Sequence, residues 1–374
     1  MKFIVSSTAL YSHLQAIFPV INSKNALPIL DYFLFDVKDG ELSVVASDNE
    51  NTITTSVELV ENEGTGRFAI IAKTIMDAMK EFPEQPITFD IDMETLNITI
   101  DNQTGSYHLM AENADGFPVF TPLDKNAVSL DMEASILMKG ISHTLFASAD
   151  DELRPVMNGI YFDITTDDVT FVASDGHKLV KEQTTLAKGS ERAAFVLPKK
   201  PATILKNLLQ KEEGFISIEF NENNAVFMLK NFKLCCRLID GRYPNYNSVI
   251  PQNNLYHITF DRRQVISALR RVAVFADPAS NLVKLHIEND LIVVSSQDIG
   301  FSTSAKESAP CQFTGDSIDI GFKVNYLIDI LNSMSTDEVV IELTDPSRAG
   351  IIVPSEQEEG NSLLMLLMPM MIND

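Results

Sequence analysis

A short motif recurs three times along this 374-residue chain, at intervals too long for a solenoid. Val44-Val45-Ala46-Ser47-Asp48 returns as Phe171-Val172-Ala173-Ser174-Asp175 and, more loosely, as Val293-Val294-Ser295-Ser296-Gln297-Asp298. The three aspartates are 127 and 123 residues apart. Because this spacing is about the length of one ordinary domain, it predicts a triplicated domain.

The flanks of the motif repeat in step with it. Each copy is preceded by a short strand that leads into an amphipathic helix, and it is followed by a second such pair. The predicted helices span 8–18, 73–82, 133–146, 199–211, 262–276 and 323–334. We therefore predict an α+β chain of three similar domains, at residues 1–125, 126–253 and 254–374. Each domain is a doubled strand–helix–strands unit whose helices pack one apolar face on antiparallel sheets.

Composition excludes several classes of protein. Hydrophobic residues make up 45% of the chain, which is enough for globular cores. The three cysteines include the adjacent pair Cys235 and Cys236, which is typical of buried thiols on a strand and not of a disulfide framework or a zinc site. The six histidines are scattered, so we predict no metal and no cofactor.

No segment predicts export or membrane insertion. The first residues read as a strand without an apolar signal core. The longest apolar run, 363–372, has ten residues and contains Pro369, so it is too short to span a bilayer. We expect a cytoplasmic protein that does not bind membranes.

Catalytic motifs are absent from the sequence. It has no Gly-x-Ser-x-Gly, Walker loop, Gly-x-Gly-x-x-Gly or His-Glu-x-x-His pattern. Asp175-Gly176-His177 resembles part of a catalytic set, but the other two copies of the motif have no histidine there. Asp90-Ile91-Asp92 resembles a metal-binding pair, yet it alternates as a half-exposed strand does. We predict a protein that is not an enzyme, with no catalytic residues.

Charge is divided between helices and the rest of the chain. The whole chain carries a net charge of −23, which by itself argues against a nucleic-acid partner. The six helix windows, however, hold twelve basic and four acidic residues, whereas the remainder holds 17 basic and 48 acidic residues. Helix propensity does not explain the contrast, because Glu is as good a helix former as Lys. If the repeats curve round, the basic faces line an inner surface that neutralises phosphates without reading bases.

Seven short stretches, in order along the chain, resemble the β subunit of bacterial DNA polymerase III, the sliding-clamp family. They are Met1-Lys2-Phe3, Leu27-Pro28-Ile29-Leu30, Arg154-Pro155-Val156-Met157-Asn158-Gly159, Ala173-Ser174-Asp175-Gly176-His177-Lys178-Leu179, Asp240-Gly241-Arg242-Tyr243-Pro244-Asn245-Tyr246, Ile320-Gly321-Phe322-Lys323-Val324-Asn325-Tyr326 and Leu367-Met368-Pro369-Met370. The resemblance covers the chain from Met1 to Ile372.

The resemblance implies the DNA-clamp fold, with two chains head to tail in a closed ring, helices lining the hole and sheets outside. It implies a homodimer that encircles duplex DNA without sequence preference. It also implies that the ring tethers the replicative polymerase, an ATP-driven clamp loader and other proteins that carry short clamp-binding peptides.

Three sets of site residues follow from the resemblance. The DNA-binding set is Lys24, Lys73, Lys80, Lys199, Lys323 and Tyr326. The partner-peptide pocket is Arg154, Val156, Met157, Ser174, Gly176, His177, Lys178, Leu179, Pro244, Val249, Met368, Pro369 and Met370. The dimer interface is Tyr107 and Leu109 in the first domain, with Val274 and Phe275 in the third.

The chain departs from the family pattern at several positions. Lys178 stands where an arginine is more usual, which keeps the charge but loses the planar fork. Asp151, next to Asp150 and Glu152, would repel phosphate, so this loop is left out of the DNA contacts. The tail continues through Met371 to Asp374, past the usual end.

Two readings of function remain open at this point. The first is a homodimeric clamp that slides on DNA and holds a polymerase there. The alternative is an acidic, repeat-built scaffold for protein interactions that does not encircle DNA.

Overall fold

All six predicted helices are present, and their ends lie within three residues of the predicted bounds. The computed structural model of the protein describes residues 1–118, 120, 123 and 127–372. The helices in this part of the chain are α1 (Ser7–Ile17), α2 (Ala72–Glu81), α3 (Ala134–Thr144), α4 (Lys199–Leu209), α5 (Arg262–Ala273) and α6 (Val324–Ser333). The predicted boundary between residues 125 and 126 lies outside the described residues.

The strands follow the predicted order in each repeat. The first repeat contains β1 (Lys2–Ser6), β2 (Tyr32–Lys38), β3 (Glu41–Ser47), β4 (Asn51–Glu58), β5 (Glu61–Glu63), β6 (Gly66–Ile71), β7 (Pro86–Ile91), β8 (Asn97–Asp101) and β9 (Ser106–Met110). The second contains β10 (Val128–Glu133), β11 (Gly159–Ile164), β12 (Val169–Ser174), β13 (Lys178–Thr184), β14 (Ala193–Pro198), β15 (Phe215–Phe220), β16 (Asn224–Met228) and β17 (Phe232–Arg237). The third contains β18 (Tyr256–Asp261), β19 (Leu282–Glu288), β20 (Leu291–Asp298), β21 (Thr303–Gln312), β22 (Ile318–Lys323), β23 (Glu338–Leu343), β24 (Gly350–Pro354) and β25 (Asn361–Leu367).

Contacts divide the chain into two compact units, and the second repeat is shared between them. The first unit comprises Met1–Ser135 and Lys200–Leu238. It holds a five-stranded sheet in the order β5-β1-β7-β8-β9 and an eight-stranded sheet in the order β10-β15-β16-β17-β4-β3-β2-β6. The larger sheet joins two repeats, because β17 of the second repeat pairs antiparallel with β4 of the first.

The second unit contains the corresponding strand pairing, between the second and third repeats. It comprises Ile136–Lys199 and Ile239–Asp374. Its twelve-stranded sheet has the order β14-β11-β12-β13-β25-β24-β23-β18-β21-β20-β19-β22. Here β25 of the third repeat pairs antiparallel with β13 of the second, from Lys178 opposite Leu367 to Thr184 opposite Asn361.

Local sequence explains where helices begin and how closely they pack. The Ser6 hydroxyl accepts a hydrogen bond from the N–H of Ala9 and caps α1, and the Asp261 carboxylate caps α5 through the N–H of Gln264. In α3, a Cβ on Gly140 would lie 2.6 Å from the ring of Phe171, so glycine permits the close approach of this helix to β12.

The apolar residues predicted to face the sheets do so. In α4 the side chains of Ile204, Leu205, Leu208 and Leu209 are buried. In α2 the side chains of Ile75 and Met79 are buried, while Met76 is half-buried. These faces pack the helices against the sheets, and the polar faces of the helices point away from the sheets.

Two further predictions on single elements are confirmed. Cys235 and Cys236 are buried on β17, and burial raises the pKa of Cys235 to about 11. Asp90 lies on β7, where exposed and buried residues alternate, and Asp92 closes the following turn by accepting hydrogen bonds from the N–H groups of Glu94 and Thr95. No helix in the described part of the chain has the length and apolar character needed to cross a bilayer.

Candidate partner groove and nucleic-acid interface

The aspartate of the repeated motif forms the turn after the strand in all three repeats. Oδ1 of Asp48 accepts from the N–H groups of Glu50 and Asn51. In the second repeat, Oδ1 of Asp175 accepts from the N–H groups of His177 and Lys178. Oδ1 of Asp298 accepts from the N–H of Phe301. In each repeat the aspartate side chain thus accepts backbone hydrogen bonds within the turn, which is the usual role of Asp in such turns.

The turn of the second repeat is shaped by glycine and by the preceding serine. Gly176 has a φ of +89°, and a Cβ there would lie 3.1 Å from Nη1 of Arg154. The Ser174 hydroxyl donates to the carbonyl of Lys178 and accepts from the N–H of Gly176. Arg154, in turn, is held by Asp151, with 2.8 Å between Nε and Oδ2. Arg154, Ser174 and Gly176, three of the residues predicted to form the pocket, therefore lie close together.

Lys178 is buried although it is charged. Its Nζ lies 2.5 Å from Oδ2 of Asp175 and 4.1 Å from the centroid of the Tyr326 ring. Burial raises the pKa of Asp175, but the hydrogen bonds from Lys178 Nζ and from the N–H groups of Lys178 and His177 outweigh it and hold the pKa below its usual value. A charge buried in this way is stable because it is paired and hydrogen-bonded.

Tyr326 lies against the turn of the second repeat, which contains His177 and Lys178. The His177 ring stacks on it with 6.2 Å between centroids, and Nζ of Lys323 lies 4.8 Å from its centroid. Tyr326 and Lys323, which are predicted to contact DNA, also lie beside the pocket residues His177 and Lys178. Sequence reasoning missed this because α6 and the turn are about 150 residues apart in the chain.

The chain beyond β25 is tied down at two points. The N–H of Met368 donates to the carbonyl of His177, and the N–H of Met370 donates to the carbonyl of Gly321, each at 2.8 Å. Gly321 permits the second contact, because a Cβ there would lie 2.7 Å from the carbonyl oxygen of Met370. The strand itself ends at the buried Leu367, and Met368 is exposed. The described tail runs to Ile372; Asn373 and Asp374 lie outside the described residues.

An apolar cluster lies behind the turn and the tail. Its buried members are Val172, Leu179, Val196, Tyr243, Tyr246, Ala349 and Leu366. The ring of Tyr243 stacks on that of Tyr161 at 4.6 Å. Of the predicted pocket residues, Met157 is buried, while Pro244 and Val249 are exposed. A Cβ on Gly241 would lie 2.7 Å from Val156, so Val156 lies close to the segment 241–249 that contains Pro244 and Val249.

Tyr243 and Leu366 were not among the predicted pocket residues. Both lay next to a predicted residue, Tyr243 before Pro244 and Leu366 shortly before Met368. The aromatic pair in Arg242-Tyr243-Pro244-Asn245-Tyr246 was the available signal, since two tyrosines so close in an otherwise polar segment need a surface to pack on.

Within the described residues, five of the twelve basic helix residues are paired with carboxylates. The pairs are Lys139–Glu358, Lys199–Asp150, Lys200–Asp48, Arg263–Asp337 and Arg271–Glu307. Arg262 donates instead to the carbonyls of Leu331 and Thr336. The helices are therefore less strongly basic at their surfaces than the residue count suggested. Of the predicted DNA-binding residues, Lys24, Lys73 and Lys80 are exposed and Lys199 is half-buried.

The predicted interface residues lie on two surfaces with exposed apolar groups. Tyr107 and Leu109 are on β9, the edge strand of the five-stranded sheet, and the Tyr107 ring packs at 5.2 Å from that of Phe82. Val274 and Phe275 follow the last residue of α5, with 78% and 41% of their area exposed. Exposed apolar residues beside an unpaired strand edge are typical of a surface that another chain covers.

Family models match nearly the whole chain. The DNA polymerase III beta subunit N-terminal domain matches residues 1–121, the central domain 131–245 and the C-terminal domain 247–370. The chain belongs to the DNA polymerase III beta subunit family.

Individual members of this family are similar along their full lengths. The beta sliding clamp of Synechococcus elongatus is 27% identical over 366 residues, which cover 95% of this chain and 96% of the relative. The sliding clamp of Bartonella birtlesii, solved bound to griselimycin, is 26% identical with a TM-score of 0.91, and that of Pseudomonas aeruginosa, also bound to griselimycin, is 24% identical with a TM-score of 0.93. Each covers 100% of both chains.

These likenesses decide between the readings that the sequence left open. The chain has the three-domain sliding-clamp fold, as predicted. It is a DNA sliding clamp and a processivity subunit of the polymerase, without catalytic activity of its own. The alternative of a scaffold that does not encircle DNA is not favoured.

Proposed function

We propose that two copies of this chain close head to tail into a ring around duplex DNA. The ring slides on the duplex and tethers the replicative polymerase, the ATP-driven clamp loader and other proteins with short clamp-binding peptides. No cofactor takes part in holding DNA, because the link is topological.

The pairing of strand edges carries this proposal. In each repeat, β4, β13 and β21 are equivalent, since each follows the turn of the motif, and β9, β17 and β25 are equivalent, since each ends the repeat. Within the chain β17 pairs with β4 and β25 pairs with β13. In the described part of the chain, β9 pairs only with β8, and residues 303–310 of β21 pair only with β20. One edge of each kind is therefore left over.

In a ring of two copies, both remaining strand edges find a partner strand. If β21 of one copy pairs with β9 of the next, the contact is heterologous, and a ring forms when the rotation closes. The exposed side chains of Tyr107, Val274 and Phe275 then become buried beside the new strand pair. Closing after two copies gives six equivalent junctions between half-domains, of which four lie within the chains and two between them.

DNA contacts in this proposal are weak and independent of sequence. The predicted DNA-binding set supplies cations that neutralise phosphates, from Lys24, Lys73, Lys80, Lys199 and Lys323. Tyr326, the last member of the set, lies beside Lys323. Four other helix cations (Lys139, Lys200, Arg263 and Arg271) and Lys199 itself are paired with carboxylates, which limits the total attraction and permits sliding. We propose three domains at 1–125, 126–253 and 254–374, and the number and order of the three matched family domains support this division.

The peptide site that we propose is the groove beside the turn 174–179. Arg154, His177 and Tyr326 form its polar edge, and Leu179, Met368 and Met370 provide adaptable apolar contacts. A polymerase that binds both the clamp and the primer needs only modest affinity for the clamp, because the tether raises the effective concentration of the polymerase at the primer. A clamp acts where the chromosome is, so we place the protein in the bacterial cytoplasm.

Retention on DNA tests the ring directly. Clamp loaded by its loader onto nicked circular DNA is expected to survive a wash at about 1 M salt, where the Debye length is roughly 3 Å and exposed charges are screened. It should leave when a restriction enzyme linearises the circle. Equal loss from circular and linear DNA in high salt would show that the protein is held by charge and not by encirclement.

A further inference from the structure

Ile299 and Phe301 are unusually exposed for such large apolar side chains. They lie in the turn between β20 and β21, with 83% and 80% of their area exposed. Four residues separate the paired Asp298 and Thr303 in this turn. In the first and second repeats, only two residues separate the corresponding pairs, Asp48 with Asn51 and Asp175 with Lys178. The third turn is thus longer than its equivalents and carries the apolar groups outward.

The two equivalent turns contact the first turn of a helix in the following repeat. Nζ of Lys200, the second residue of α4, lies 2.6 Å from Oδ2 of Asp48. The ring of Tyr326, the third residue of α6, stacks on His177 and lies over Lys178. The helices α2, α4 and α6 are equivalent, since each is the helix of the second strand–helix pair in its repeat. The first turn of α2 is therefore the remaining counterpart for the third turn.

We infer that Ile299 and Phe301 pack against the first turn of α2 in a second copy of the chain, around Lys73 and Thr74, and strengthen ring closure. This inference rests on the proposed ring. It adds two anchors to that ring, which the resemblance to the family did not indicate. The occupant of the apolar surface is the second copy and not another protein.

The surface is continuous with the residues already assigned to the interface. The hydroxyl of Ser296, two residues before Asp298, donates to the carbonyl of Val272 at 2.7 Å. This bond ties the end of α5, and with it the exposed Val274 and Phe275, to the strand that leads into the turn. On the other side, Ile71 is exposed directly before α2 and offers an apolar contact. Apolar anchors that meet in one place usually dominate an interface.

Site-specific cross-linking tests the contact. Phe301→Cys combined with Thr74→Cys should give a covalent dimer with a short bis-maleimide, because both positions are exposed and would face each other between copies. The native cysteines 235, 236 and 311 are buried and remain unreacted. The matched control pairs Thr74→Cys with Leu255→Cys, an equally exposed apolar position outside the proposed contact. Cross-linking equal to that control, in a protein shown to be dimeric, would overturn the inference.

Dissociation of the dimer gives an independent measurement. Ile299→Ser with Phe301→Ser should raise the dimer Kd at least tenfold in sedimentation velocity, while Leu255→Ser with Phe215→Ser should leave it unchanged. An unchanged Kd in the first variant, together with loss of the dimer in Val274→Asp with Phe275→Asp, would refute the anchors and leave the ring standing. A wild-type protein that is monomeric at every concentration would instead refute the ring itself.

Discussion

Nζ of Lys200 lies 2.6 Å from Oδ2 of Asp48, and the same ammonium group donates to the carbonyl of Val20 and to Oδ1 of Asn22. Lys200 belongs to the second repeat and Asp48 to the first. The bond therefore fastens two repeats together beside the β17–β4 strand pair. A lysine counted among the basic helix residues thus serves a structural purpose in the first unit.

We predict that Asp48→Asn destabilises the protein by about 2 kcal/mol at pH 7, the usual contribution of a hydrogen bond to a charged group. Burial raises the pKa of Asp48, but hydrogen bonds from Lys200 and Asn51 outweigh it and hold the pKa below its usual value. A lowered folded-state pKa gives stability that is present above the unfolded pKa of about 3.9 and is lost as pH falls through the folded value. The difference between variant and wild type should therefore shrink below about pH 4 in urea unfolding.

The control for this prediction is Asp92→Asn. Asp92 also closes a turn through backbone N–H groups, but it is exposed and has no lysine partner among the described ion pairs. Its substitution should change the unfolding midpoint much less. A pH-independent effect of Asp48→Asn would show that the ion pair is not the source of the stability.

Gly321→Ala should weaken binding of a clamp-binding peptide without opening the ring. The new methyl group would meet the carbonyl oxygen of Met370 at 2.7 Å, so the tail must shift away from β22. We expect at least a threefold higher peptide Kd by fluorescence anisotropy and an unchanged dimer mass. Gly116→Ala is the control, because its Cβ would meet nothing within 4 Å. Equal affinity in both variants would mean that the tail position does not matter to the groove.

Substitution of the interface residues should produce monomers. Tyr107→Ala with Leu109→Ala removes apolar contact from β9, and Val274→Asp with Phe275→Asp places charges where an apolar surface is to be covered. Burying an unpaired charge costs several kcal/mol, so the second variant should be the more severe. Analytical ultracentrifugation would report the mass, and an unchanged dimer in both variants would locate the interface elsewhere.

His177→Ala combined with Met368→Ala should abolish polymerase and loader binding and leave a folded dimer. His177 stacks on Tyr326 and accepts the N–H of Met368 at its carbonyl, so these side chains border one groove. Hot-spot anchors contribute about 2 kcal/mol or more each, and 1.4 kcal/mol is a factor of ten, so peptide affinity should fall at least tenfold. Deletion of residues 367–374 should have the same effect, but it also removes the end of β25. Wild-type affinity in the double variant would move the partner site elsewhere.

Much of the fold follows from the sequence alone. The period of the Ser-Asp motif and the helical spacing of apolar residues are local patterns. They predicted three repeats and six helices, and the helix ends are correct to within three residues. The cysteines on β17 and the buried faces of α4 were also readable, because burial follows alternation and periodicity. Charge counting along the helices was less reliable, since it cannot tell which lysines meet a carboxylate from a distant strand.

Only the tertiary structure decided which distant residues meet. It paired β17 with β4 and β25 with β13, so that β9 and residues 303–310 of β21 each have a partner strand on one side only in the described part of the chain. It also placed Tyr326 and Lys323 beside the turn of Lys178, and it paired Lys200 with Asp48. Strand pairing and ion pairing of this kind depend on sequence separations of more than 100 residues, where local propensity carries no information and packing of the whole unit selects the partner.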